Sequence, residues 1–143
     1  MQQLILMIIL LFSSIALTQA QESNENLEER TITVSVVNAL NNSGTVKFAF
    51  YTKEGFRKQS LFAKSASIED GISTVTFTNV PKGDYAIICY HDENSNNQLD
   101  FYENGMPKES YGTSKNAMLM GPSDFESSKF EVKNEDLTLE IKF

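Results

Sequence analysis

Apolar and polar residues alternate along most of the chain beyond residue 30, and the alternation has a period of two. Thr31 to Val37 places Ile32, Val34 and Val36 on one face, the pattern of a strand with one side against a core. Asn38 to Gly44 is turn chemistry, and Thr45 to Thr52 then turns Val46, Phe48 and Phe50 inward. Lys53 to Asp70 is less regular; Phe56, Leu61, Phe62 and Ile68 anchor it, and it fits a short helix or an edge strand equally well. From Ile72 to Asn79, Val75 and Phe77 face in while Thr74, Thr76 and Thr78 face out. A tight turn at Pro81–Asp84 leads into Tyr85 to Tyr90, apolar on both faces as expected of a central strand. Tyr102 to Asp124 reads as a long irregular excursion, followed by strands over Phe125–Lys133 and Leu137–Phe143. No segment holds a helical period and no repeat is visible. The expectation is an all-β fold, an antiparallel sandwich of six to seven strands with one long irregular loop.

The ends of the chain add destination rather than fold. Leu4 to Phe12 is an unbroken apolar run, extended through Leu17, and Thr18-Gln19-Ala20 supplies small residues at the positions a signal peptidase reads. The run is short for a membrane span, so residues 1–20 are expected to be a signal peptide cleaved after Ala20, although a basic leading region is missing. No cysteine lies near that point to take a lipid. Residues 21–30 are polar, acidic and aperiodic, a flexible leader. Residues 31–143 are then long enough for a single sandwich domain.

Charge and cysteine narrow the function classes. The net charge is -7, and it is concentrated in two places. Residues 21–30 set Glu22, Glu25, Glu28 and Glu29 against Arg30; residues 92–104 carry Asp92, Glu93, Asp100 and Glu103 with no base. The remaining charges cancel. An acidic chain without a basic stripe excludes nucleic acid as the expected partner, and nothing after signal cleavage suggests membrane insertion. The single cysteine, Cys89, allows no internal disulfide, and its place between Ile88 and Tyr90 in a strand makes it a buried apolar group.

The acidic stretch also carries the chemistry. With Asp92 as position 1, side-chain oxygens fall at positions 1, 3, 5, 9 and 12: Asp92, Asn94, Asn96, Asp100 and Glu103. A twelve-residue calcium loop places its ligands there, with the backbone carbonyl of position 7, here Gln98, completing the set. Calcium takes six to eight oxygens, and alternate residues of a curled loop can supply them. Position 6 normally needs glycine for a sharp turn. This chain has Asn97, the next best residue for a left-handed backbone. An ordinary Asn-rich turn would use the same residue types, since their side chains bond nearby backbone groups.

His91, Glu109, Tyr111 and Ser114 surround this loop in sequence and admit two readings. They include the residue types of a hydrolase, with His91 and Glu109 at its centre. They equally suit groups that fold the long loop back onto the sandwich, Tyr111 as a buried aromatic among them. His91 is the only histidine, which excludes a His-rich zinc site. No nucleophile elbow or phosphate loop is present. No residue is therefore assigned as catalytic.

Two resemblances follow. The run Val75 to Ile87, with its Pro81-Lys82-Gly83 turn and Tyr85-led strand, resembles immunoglobulin-like and prealbumin-like bacterial surface domains. The order His91-Asp92-Glu93-Asn94, Asn96, Leu99-Asp100, Gly105-Met106-Pro107-Lys108-Glu109 and Tyr111-Gly112-Thr113-Ser114 resembles a family of small secreted bacterial proteins, domain of unknown function 2141. That resemblance implies an exported, single-domain β-sandwich and carries no reaction. The chain departs from it at Ser95 and Asn97, where glycines are usual, and at Glu103, where an apolar residue is common. Asp92, Asn94, Asn96 and Asp100 would then form a shorter Asp/Asn loop, with Glu103 particular to this chain. The expected protein is an exported module in the periplasm, at the cell surface or outside the cell. Calcium orders it, and it serves as a binding or structural protein toward an unidentified protein or carbohydrate. In the carbohydrate-binding version Phe101, Tyr102 and Tyr111 would form the contact surface.

Overall fold

The computed structural model describes residues 29–117 and 121–143. The expected signal segment, and all of the expected leader except Glu29 and Arg30, lie outside them. Eight strands and one short helix follow in the order β1 (Arg30–Val36), β2 (Thr45–Tyr51), β3 (Phe62–Ala66), β4 (Ser73–Val80), β5 (Gly83–Asp92), β6 (Tyr111–Thr113), α1 (Phe125–Ser128), β7 (Phe130–Val132) and β8 (Leu137–Ile141). They build two facing sheets, so the fold is the expected all-β sandwich. One sheet has the order β4-β1-β8; the other runs β3-β2-β5, with β6 and β7 sharing the far edge of β5.

The core follows from the alternation. Ile32, Val34 and Val36 of β1, Val75 and Phe77 of β4, and Ile141 of β8 face Val46, Phe48 and Phe50 of β2 and Tyr85, Ile87 and Cys89 of β5. Phe50 stands at the centre. The rings of Phe62, Phe77, Tyr85 and Phe130 surround it at centroid distances between 5.0 and 5.7 Å, mostly edge-on or tilted, as ring quadrupoles prefer. Each such buried ring or branched side chain contributes roughly 1.5–3 kcal/mol over its exposed state.

Three features go beyond the sequence pattern. The undecided segment 53–70 holds a run of turns and then the edge strand β3, whose pattern is masked because only its ends are shielded. The long excursion contains β6, three residues pinned to Ile88–Tyr90. The stretch from Phe125 starts as a helix before it becomes β7, because Asp124 caps it: its carboxylate accepts the Ser127 N–H at 2.9 Å. These additions bring the strands among the described residues to eight rather than six or seven. The pairing is antiparallel except between β1 and β8, which run parallel; nearly the whole chain lies between them and serves as the crossover a parallel pair requires.

Register decides what stands on the outer face of the larger sheet. Thr45 opposes Asp92, Lys47 opposes Tyr90, and Tyr90 opposes Tyr111. Successive side chains of a strand point to opposite faces. Asp92 and Tyr90 therefore face away from the core that Cys89 and His91 enter, and the segment after Asp92 folds over them.

Candidate metal centre

Asp92 ends β5 and is fully buried although it lies on the outer face. The following loop covers it by bonding to it. Asp92 Oδ1 accepts the N–H of Asn96, and Oδ2 accepts that of Asn97, both at 3.0 Å. Two smaller rings continue the curl: Asn94 Oδ1 accepts from Asn96 N at 3.0 Å, and Asn96 Oδ1 from Gln98 N at 2.9 Å. Each is an Asx turn, in which a short side chain takes the place of a backbone carbonyl. The curl requires left-handed residues at alternate places, and Ser95 (φ 60°) and Asn97 (φ 63°) supply them without glycine.

Four of the five expected ligand side chains, those of Asp92, Asn94, Asn96 and Asp100, are thereby brought together. Asp100 receives the amide of Asn94 at 2.7 Å and that of Asn96 at 3.0 and 3.1 Å. Gln98 is tied to the same curl by its N–H, donated to Asn96 Oδ1, whereas the group expected as a ligand was its carbonyl. Glu103 does not join them. It is exposed on the turn of a small hairpin, closed by the Phe101–Pro107 bridge and by bonds between Tyr102 and Met106 and between Gly105 and Tyr102. Among the described residues no three His, Cys, Asp or Glu side chains converge as a metal group; the cluster is two carboxylates with amide and carbonyl groups.

A further carboxylate, that of Glu109, reaches the loop from further along the chain and bonds its backbone. The hairpin reverses direction, Lys108 N donates to the Asp100 carbonyl, and His91 N donates to that of Ser110. Glu109 thus returns to the loop and straps its two ends, accepting the N–H of Glu93 at 3.1 Å and that of Asp100 at 3.2 Å. Neither the loop spacing nor the strand pattern signals this strap, nor the ammonium of Lys47, which donates to Asn97 Oδ1 at 2.7 Å from the neighbouring strand. Burial first, and then the Asp92 and Glu109 carboxylates, push the Tyr90 phenol above its ordinary 10.0.

The other singled-out residues are engaged with backbone. His91 is 2% exposed and lies parallel to the Phe143 ring. Its Nε2 is 2.7 Å from the Ser43 carbonyl, an acceptor only, so Nε2 carries the proton. Ser114 Oγ accepts from Ile87 N at 3.0 Å and donates to the Ser128 carbonyl, tying β5 to the end of α1. Tyr111 stands half-buried in β6. Two surface hollows of about 360 and 430 Å³ lie beside α1 and beside the β3–β4 turn, and none of His91, Glu109 and Ser114 lines them.

A family model described as an uncharacterized protein conserved in bacteria (DUF2141) matches residues 34–140. No curated protein and no solved structure matches the chain.

Proposed function

The chain belongs to this bacterial family of uncharacterised proteins, and from that premise we propose that it is an exported β-sandwich module whose Asp/Asn loop binds one calcium ion. The observation that carries the reading is the meeting of Asp92, Asn94, Asn96 and Asp100 in one curl with left-handed residues at 95 and 97. The donor set is all oxygen and partly charged, the chemistry of a hard cation. Asn94 and Asn96 direct their amide nitrogens at Asp100. Half a turn about the terminal side-chain bond would exchange nitrogen for oxygen, at the expense of the two Asx turns in which Asn94 Oδ1 and Asn96 Oδ1 accept the Asn96 and Gln98 N–H groups. Asp92, Asp100 and the Gln98 carbonyl complete the set. Glu103 would join only if its hairpin turn moved.

Bound calcium would supply the charge that two carboxylates now draw from N–H groups. It would hold the base of the 101–107 hairpin, on which Phe101, Tyr102 and Met106 are 52%, 56% and 62% exposed. That exposure favours a binding module over a hydrolase: apolar side chains stand in solvent at the loop, whereas His91, Glu109 and Ser114 all bond to backbone. The partner is a protein or carbohydrate surface met by this hairpin. Export rests on the apolar segment 4–17, and amino-terminal sequencing of secreted protein is expected to begin at Gln21. No helix among the described residues is long and apolar enough to cross a membrane.

Titration calorimetry tests the metal. One calcium is expected to bind per chain, Asp100→Asn to weaken it at least about tenfold by removing one charged ligand, and Glu103→Gln to leave it within about twofold. Absence of heat at millimolar calcium contradicts the reading.

A further inference from the structure

The Asp/Asn loop already has a cation against it, and that cation belongs to another strand. Lys47 stands on β2, on the outer face of the larger sheet, opposite Tyr90. Its ammonium bonds Asn97 Oδ1 at 2.7 Å and lies 3.5 Å from Asp92 Oδ2. Asp92 has no exposure, while the Lys47 side chain keeps 23% of its own. A carboxylate withdrawn from water requires compensation. Asp92 has two backbone N–H groups and, among the described residues, this one ammonium.

We propose that Lys47 is the resident counter-ion of the loop: it holds Asp92 and Asn97 in place without metal, competes with calcium for the Asp92 carboxylate, and so sets the affinity of the loop. The inference rests on the calcium reading above and deepens it. Two cations drawing on one partly buried carboxylate repel each other, and the energy of a unit charge beside a divalent ion at several ångströms is large enough to move binding by about tenfold. The competition carries a distinctive sign. Removing the ammonium destabilises the metal-free loop and tightens calcium binding. A side chain that merely packed the loop would weaken both, because a loosened loop must be ordered again before it can gather its ligands.

The experiment compares the wild-type protein with Lys47→Gln, which keeps a donor for Asn97 without the charge, and Lys47→Arg, which keeps the charge. Melting is recorded in EDTA and the calcium Kd by calorimetry. Lys47→Gln is expected to melt several degrees lower in EDTA and to bind calcium about tenfold more tightly, while Lys47→Arg binds within about threefold of wild type. If wild type binds calcium and Lys47→Gln binds it no more tightly, the inference is overturned and the calcium reading stands. If neither binds, both are overturned. Should Lys47→Gln fail to fold in EDTA, recovery on adding calcium supports the inference, and failure to recover in saturating calcium overturns it.

Discussion

Asp92 and Gly44 show how closely the loop is built at the level of single residues. Gly44 has φ +68°, and a Cβ there would run into the Asp92 carbonyl and the Glu93 backbone. Gly44→Ala therefore combines left-handed strain with a backbone collision and is expected to cost about 3 kcal/mol or more in chemical denaturation. A loss below about 1 kcal/mol would mean that the β2 and β5 ends separate easily. Cys89 makes the opposite kind of prediction. It is fully buried, burial pushes its thiol well above the ordinary 9.0, and it should resist alkylation until the protein is unfolded. Rapid labelling of native protein would contradict this. Asp92, Asn94, Asn96 and Asp100 were legible in the sequence because they lie within nine residues and their spacing is that of one curl. Glu109 was singled out as a group that folds the loop back, but the two N–H groups it bonds depend on a hairpin reversal that spacing does not show. Lys47 was not legible, because it arrives through strand register. Counting along the chain instead favoured Glu103, which the hairpin carries away.

Single elements depend on side chains that mimic backbone. Asn116 accepts the Lys142 N–H at 2.7 Å and donates to the Glu140 carbonyl at 2.9 Å, so one amide pairs with the free edge of β8 as a strand would. Asn38 does the same for Phe143 at 2.9 and 3.0 Å. Gly112 of β6 sits beside them because a Cβ would meet the Lys142 carbonyl at 2.6 Å. Asn116→Ala is expected to destabilise by about 1–2 kcal/mol and to speed hydrogen exchange at the Lys142 amide; unchanged exchange would show the edge to be held otherwise. At α1 the prediction is one of pH. Hydrogen bonds from the Ser127 N–H and hydroxyl hold the Asp124 carboxyl below its ordinary 3.8, and the Lys53 hydrogen bond does the same for Glu126 from 4.5. A depressed folded value gives stability that is complete above the ordinary value and is lost as pH falls through the folded one. Asp124→Asn keeps the cap but not the titration. Its melting temperature should fall less than that of wild type between neutral pH and about pH 3. Of these elements the long alternating strands were readable, whereas β3, β6 and α1 are too short for a period to emerge from five, three and four residues.

Across the molecule, strength and chemistry are separated. The apolar faces of β1, β2, β4 and β5 form one core around Phe50, without a disulfide since Cys89 is alone. The loop chemistry lies outside that core, on the outer face of the larger sheet, and its carboxylates lean on N–H groups and on Lys47. On the proposed reading, calcium would enter this loop without rebuilding the sandwich, and because only the folded loop would gather the ligands, binding would add stability by mass action. The most direct measurement is a thermal melt of the protein in EDTA and across a calcium series, with Asp100→Asn beside wild type. The melting temperature of wild type should rise steadily with calcium, and that of Asp100→Asn should rise far less. Identical melts in EDTA and in millimolar calcium would contradict the account and leave the Asp/Asn curl as a turn held by its own hydrogen bonds.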